Sequence, residues 1–321
     1  MNNYPKIVAL IALVLLSFSA RSQQYNVILD ADIDSDVDDV EALAMVHTLA
    51  DQKKINFLGV VVTSDDPYAP LCTSAINQYF GRPALPIGYL KNQPAYKVQS
   101  KYTRQISEEF PRRLRSYQEA EEAATLYRKL LSESPDGSVV IITIGHLTSL
   151  QNLLQSGADK YSPMSGKELV RKKVAKWLCM GGNYPEGKEA NFYRPDPAST
   201  VYCLQEWEKP VTFVGWDVGN VIKTGGPFLK SKLSADSPVY RAYELYNNFQ
   251  GRASWDQVAV YLLMEEAGKY FSTVSQGYCH VNEDGSNQWR TDKDSLHEYV
   301  VLKPDADVEA IARSMDKMAI R

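Results

Sequence analysis

The sequence predicts an α/β fold, a mostly parallel central sheet flanked by helices, with a small β-rich embellishment near the C-terminus. Three observations lead there. Apolar runs of strand length alternate with stretches of helical spacing, as βαβ units require. The runs are continuously apolar, the pattern of strands buried on both faces. The composition of the 321 residues, 44% hydrophobic and 23% charged with 18 Gly and 16 Pro, excludes collagen-like, low-complexity and disordered chains.

The elements follow in order. Residues 1–22 read as a secretory signal peptide: Lys6, the apolar run Ile7 to Leu16, and a small-residue exit with Ala20 and Ser22. A membrane span needs about 20 apolar residues, so a span is not expected. Removing this segment takes Lys6 and Arg21 and leaves 33 basic against 39 acidic residues, net −6. The mature chain, 23–321, is expected to be one exported domain, periplasmic or secreted, with no membrane partner. No basic stretch interleaves with aromatics, so nucleic acid is not an expected partner. The sparse Cys72, Cys179, Cys203 and Cys279 make neither a disulfide framework nor a CxxC metal site, although one disulfide is open.

Strands are expected at Val27–Leu29, Phe57–Val62, Val139–Ile144, Val174–Met180 and Val211–Val214. The clearest helix carries Val40, Leu43, Val46 and Leu49 on one face and opens on Asp38 and Asp39, where carboxylates suit a helix N-terminus. Other helices are expected over 70–80, 117–133, 147–156, 196–207, 236–250, 256–267 and 306–318. Region 271–302 reads instead as short antiparallel strands turning at Asp284-Gly285. They suit either a lid over the pocket or a plain surface hairpin.

In such sheets ligands bind at the carboxyl ends of strands. Here the first strand runs into Asp30, Asp32, Asp34, Asp36, Asp38 and Asp39, six carboxylates in ten residues. So many acids cannot all stay ionised without a cation or strong donors, and oxygen ligands without a His/Cys cluster favour Ca²⁺ or Mg²⁺. A solvated surface loop is the plain alternative, disfavoured because the run abuts a buried strand and opens a helix. An EF-hand-like calcium loop is a second, since Asp30, Asp32, Asp34, Asp36, Asp38 and Glu41 occupy its ligand spacing. Ser35 stands where that loop wants Gly, however, and a strand rather than a helix precedes it. Asp30-Ala31-Asp32-Ile33-Asp34 also resembles the DxDx[TV] of haloacid dehalogenase-type phosphatases, with Asp in the fifth place.

More of the chain, about residues 26–267, resembles the inosine-uridine preferring nucleoside hydrolases. Val27 to Asp32 with Asp38 to Ala44 resembles their strand, DTD and DDALAL helix. Leu58 to Thr63 resembles the second strand, and Ile144 to Leu150 resembles GPLTNL. Met180-Gly181-Gly182, Glu189-Ala190-Asn191 and Asp196-Pro197-Ala198 resemble MGG, EFN and DPEAA, and Trp255 to Val260 resembles HDPLAVA. The resemblance implies a Ca²⁺ held by Asp32, Asp39, Asp256 and the backbone carbonyl of Ile144, with Asp32 also deprotonating the attacking water. It implies that Asp38, Glu189 and Asn191 grip ribose hydroxyls, with Met180 and Asn183 nearby, and that the activity is hydrolysis of a ribosyl N-glycosidic bond. A binding protein that keeps the pocket and has lost turnover is the alternative.

The departures from the family pattern sit at informative positions. The acidic turn is two residues longer than DTDPGIDD, and the preferred register puts Asp30 and Asp32 in the DxD places, leaving Asp34 and Asp36 as spare ligands or solvated groups. Asp65-Asp66 replaces a Gly-Asn that touches the sugar, and His146 replaces a Pro. Trp255 replaces a leaving-group His; indole donates a hydrogen bond but cannot act as a general acid. Base identity and oligomeric state stay open, the many Tyr and the later Trp residues being candidates for a homo-oligomer interface.

Overall fold

The computed structural model describes residues 24–91 and 100–321; the signal-peptide reading of 1–22 falls outside them. The strands are β1 (Tyr25–Ala31), β2 (Ile55–Val62), β3 (Ile87–Tyr89), β4 (Glu121–Glu122), β5 (Val139–Thr143), β6 (Val174–Met180) and β7 (Glu186–Lys188). They continue with β8 (Val211–Val214), β9 (Lys223–Thr224), β10 (Arg252–Ala253), β11 (Phe271–Val274), β12 (Tyr278–Val281), β13 (Ser286–Arg290) and β14 (His297–Leu302). Nine of them form one sheet in the order β11-β14-β8-β6-β5-β1-β2-β3-β4. Every pairing in it is parallel except β11 with β14 at the edge.

The continuous apolar runs are explained by burial on two sides. Along β1, Val27 and Leu29 join one core layer and Ile28 the other; along β5, Val140 and Ile142 alternate in the same way with Val139 and Ile141. The first layer is covered by α1 (Asp38–Asp51) and the helices Trp255–Tyr261 and Val308–Met318. Helices Ala123–Glu133, Thr148–Gln155 and Gly166–Lys173 cover the second. Helix α1 is not amphipathic as its spacing suggested: Asp38 through His47 are all buried, because it is packed among neighbouring helices as well as the sheet.

The expected C-terminal embellishment divides in two. β12 and β13 form a hairpin that pairs onto β7 as a separate antiparallel sheet. β14 instead lies parallel to β8 and extends the main sheet. The expected helix over 117–133 is a short 3-10 turn, the two-residue β4, and a helix starting only at Ala123, where Glu122 accepts the Thr125 N–H as N-cap. Helix Gly166–Lys173, not expected from spacing, is set by a Ser165/Glu168 capping box and a basic last turn. All four cysteines are free, buried thiols. Among the described residues no helix is long and apolar enough to cross a membrane.

A polar knot lies on the far side of α1. Glu41 accepts the hydroxyl of Tyr243 and the amide of Gln257, and its other oxygen is buried without a partner among the described residues. Burial, helped by the charge of Asp316, pushes Glu41 up from 4.5 to about 8, and burial pushes Asp316 up to about 6. A carboxyl whose folded pKa lies above its unfolded value binds its proton more tightly in the folded state, so folding stability falls as pH rises from the unfolded value through the folded one. Glu41→Gln keeps the shape and removes that share of the slope. Denaturant titrations at pH 5 and pH 8 are expected to show the variant gaining roughly 1–3 kcal/mol over the parent between those pH values. An unchanged slope would mean that Glu41 is ionised in the fold.

Candidate active site

Just past β1 the chain leaves the sheet plane: Ile33 has φ of 45°, and its N–H donates to Asp39 Oδ1 at 3.2 Å. The carboxylates before and after this bend point in different directions. Asp30, still inside β1, points to the second core layer, where it accepts the hydroxyls of Thr63 and, at 2.7 Å, Tyr127. Burial raises it to about 7. Asp30 lines neither chamber of the cleft, so the phosphatase reading loses its nucleophile. The EF-hand reading fails for the same reason, because Asp30 and Glu41, the two ends of that loop, are bonded to opposite sides of the structure.

Asp32, between the end of β1 at Ala31 and the bend, lines a cavity of about 280 Å³ together with Asp38, Asp39, Ile144, Met180, Glu189, Asn191, Trp255 and Asp256. Distant stretches of chain meet there. The end of β5 comes close because Gly145 has no side chain: a Cβ there would lie 3.0 Å from the Asp32 backbone nitrogen. Helix Trp255–Tyr261 opens against α1, so the Asp256 N–H points to Asp38 Oδ2 at 3.4 Å. Oxygens of Asp38, Asp39 and Asp256 lie within 4.8 Å of one another.

The electrostatics follow from the crowding. Burial pushes Asp32 up to about 6, partly offset by its hydrogen bond with Asp39. Asp38, Asp39 and Asp256 are driven well above the carboxylate range, by burial first and by a neighbouring carboxylate's charge next, that of Asp36 on Asp38, of Asp32 on Asp39 and of Asp38 on Asp256. An acceptor-only cluster of this kind either holds protons or holds a cation. Its donor set, buried carboxylates beside a backbone carbonyl, fits a hard divalent cation; the residues able to hold one are Asp32, Asp38, Asp39, Asp256 and the Ile144 carbonyl.

The other predicted residues fall out as follows. Glu189 accepts the N–H groups of Gly182 and Asn191, at 3.1 and 2.9 Å, and burial raises it to about 7. Asn191 Nδ2 spans the carbonyls of Ile144 and Met180 at 3.2 and 3.3 Å. Trp255 donates its indole N–H to the Trp216 carbonyl at 3.0 Å, and a Cβ on Gly219 would lie 2.4 Å from its ring, so this glycine makes room for it. Asp34 accepts the Ser64 hydroxyl and lines an adjoining chamber.

His146 lines the adjoining chamber too. Its Nδ1 is 2.9 Å from Thr148 Oγ1, which donates to Asp196, so the ring nitrogen is the donor in that first bond. Burial lowers His146 to about 4, leaving it neutral near pH 7. Two expectations are corrected. Asn183 does not line the cleft; its N–H and C=O pair with the Asn287 side chain at 2.9 and 2.8 Å and tether the β12-β13 hairpin. Asp66 is turned away as well, accepting from the Tyr68 N–H and the Thr103 hydroxyl, while Asp65 takes its place in the lining.

Sequence reasoning missed Arg252. Its Nε lies 3.0 and 2.8 Å from the two Asp36 oxygens, and its guanidinium sits 4.8 Å from the Trp255 ring centre. Asp36 is therefore a strut of the cleft wall and not a spare ligand. Arg194, Tyr246 and Trp216, which also line the cleft, were missed as well. The only signal for Arg194 was its place three residues after Asn191.

Comparison with known proteins identifies a family and similar folds. A family profile described as "Inosine-uridine preferring nucleoside hydrolase" matches residues 27–318. The fold is similar to that of a plant nucleoside hydrolase, PpNRh1, at TM-score 0.64 and 16% identity, covering 92% of this chain and 98% of that one. It is similar to the type III effector protein XopQ complexed with adenosine diphosphate ribose, at TM-score 0.64 and 14% identity, covering 93% and 92%. An inosine-guanosine nucleoside hydrolase matches at TM-score 0.58 and 15% identity over 92% and 98%. No curated protein sequence matches the chain.

Proposed function

Because the chain belongs to the inosine-uridine preferring nucleoside hydrolase family, and so is an enzyme of the N-glycosidase type, we propose that it hydrolyses the N-glycosidic bond of a ribonucleoside or related ribosyl compound, with calcium as its cofactor and Asp32 as its base. The observation that carries this reading is the convergence of Asp32, Asp38, Asp39 and Asp256 beside the Ile144 carbonyl in one cavity at the carboxyl edge of the sheet.

When bound by Asp32, Asp39, Asp256 and the Ile144 carbonyl, the cation would acidify water and orient sugar hydroxyls. The side chains account for the rest. Asp32 accepts a proton from the attacking water as its oxygen bonds to the anomeric carbon; the carbon–nitrogen bond breaks, and its electron pair leaves with the base. Asp38 and Asn191 hold the sugar hydroxyls, and Glu189 fixes Asn191 and the Gly182 turn through the backbone bonds described above. The surrounding carboxylates favour the cationic, oxocarbenium-like transition state over the neutral sugar.

The leaving group receives no proton from the residues at the expected place. Trp255 has spent its single donor on a carbonyl, and His146 is neutral with its Nδ1 proton engaged by Thr148. Substrates are therefore expected to carry a base that departs without general-acid help, or that is protonated by solvent. The likeness to a fold bound to adenosine diphosphate ribose widens the panel worth assaying to ribosyl compounds other than nucleosides. In the same reading residues 1–22 are removed on export.

The test is release of free ribose by the mature chain from a panel of nucleosides, with calcium and with a chelator. Calcium-dependent ribose release supports the proposal. Tight ribose or nucleoside binding without release across the panel would replace it with the binding-protein reading.

A further inference from the structure

The cleft does not end at the carboxylate cavity. A second chamber of about 300 Å³ opens beside it, and the two share Asp32, Ser35, Asp36, Asn191, Arg194 and Arg252 in their linings. Each is at the small end for a small-molecule site, so a sugar fills one and the other takes whatever the sugar carries. Two cations line this double cleft. Arg252 is committed to Asp36 and to the Trp255 ring face.

Arg194 is not committed. Among the described residues its guanidinium makes no ion pair and no hydrogen bond, although Asp32, Asp34, Asp36 and Asp65 line the same chamber; its contact is the Tyr193 ring at 5.6 Å. The segments outside the described residues, 1–23 and 92–99, contain no Asp or Glu that could pair with it. Its backbone is pinned, since the Arg194 N–H donates to the Ala190 carbonyl at 2.9 Å in the short helix capped by Glu189. Its charge is felt by Asp32 and by Glu189. An exposed arginine that lines both chambers, amid acids yet paired with none among the described residues, presents a fork of N–H donors suited to phosphate.

We propose that Arg194 reads a phosphate on the ribosyl substrate, so that ribose 5-phosphate compounds such as nucleoside 5'-monophosphates are preferred over neutral nucleosides. The inference rests on the reading that the ribose occupies the carboxylate cavity. The acids around Arg194 repel an unassisted phosphate, which makes the preference depend steeply on this one side chain.

The experiment measures calorimetric binding of ribose, ribose 5-phosphate and inorganic phosphate to the calcium-loaded chain, and kcat/KM for uridine, uridine 5'-monophosphate and orotidine. The expected result is ribose 5-phosphate binding at least about 10-fold tighter than ribose, with the advantage reduced to about 2-fold in Arg194→Gln and partly kept in Arg194→Lys, which retains the charge without the fork. Equal binding of the two sugars, or an advantage that survives Arg194→Gln, overturns the proposal. So does a preference for orotidine without one for ribose 5-phosphate, which would move the anion to the leaving group. Arg194-dependent binding of ribose 5-phosphate without turnover of any nucleoside would keep the phosphate site and sink the hydrolase reading. Turnover of neutral nucleosides without a phosphate preference would do the reverse.

Discussion

Replacing Asp32 with Asn is expected to lower kcat for ribose release by roughly 10²–10⁴-fold, the range for loss of a positioned general base. Asn keeps the size and the hydrogen-bonding reach of Asp but cannot accept the proton of the attacking water. Asp32 lines the cavity at the end of β1, and two other acids of the region are committed elsewhere. Asp30 is bonded into the core by Thr63 and Tyr127, and Glu189 is occupied by backbone N–H groups. Rates measured at saturating calcium and substrate separate lost chemistry from weaker binding. Full turnover by Asp32→Asn would remove Asp32 from its role as base.

The second large effect concerns the cation. Asp256→Ala is expected to weaken calcium binding by about 100-fold or more, since altering even a partner of a ligand commonly costs 10–100-fold. The effect on the calcium-free protein should have the opposite sign. Asp256 is buried, and its charge repels Asp38 and Asp32, so its removal relieves the cluster. The calcium-free variant should melt no lower than its parent, whereas the rise in Tm on adding calcium, present in the parent by mass action, should disappear. An ion held by the acidic turn alone would ignore Asp256, and unchanged calcium affinity in the variant would locate it there.

Much of the fold was legible because parallel strands buried on both faces must be apolar throughout. β1, β2, β5, β6 and β8 announce themselves in this way, and α1 was marked by Asp38 and Asp39 at its start. Strands of two or three residues such as β3, β4, β9 and β10 carry too little pattern to be seen. The placing of β14 in the main sheet depends on its pairing with β8, a contact between residues some 86 positions apart such as Thr212 with Glu298.

The site was legible where one residue's chemistry was enough. Buried acids after a strand point to a cation, whatever they later touch. Geometry decided the remainder. Asp30 and Asp32 look equivalent in the sequence, yet Asp30 is still inside β1 and turns to the core, while Asp32 is past the strand's end at Ala31 and lines the cavity. Asp66 and Asp65 exchange roles in the turn after β2. The Asp36–Arg252 pair joins residues 216 positions apart, so nothing near Asp36 could reveal its partner, and Arg194 matters because of a pairing it does not make.

The central claim is that carboxylates from both ends of the chain surround one ion beside a sugar. Anomalous diffraction from crystals of the mature chain grown with calcium and ribose tests it most directly. The account predicts one peak with Asp32, Asp39, Asp256 and the Ile144 carbonyl oxygen at calcium distances of about 2.3–2.6 Å and ribose hydroxyls completing the shell. No peak between these residues, or one within the turn from Asp34 to Asp36 with Asp256 unliganded, would contradict it.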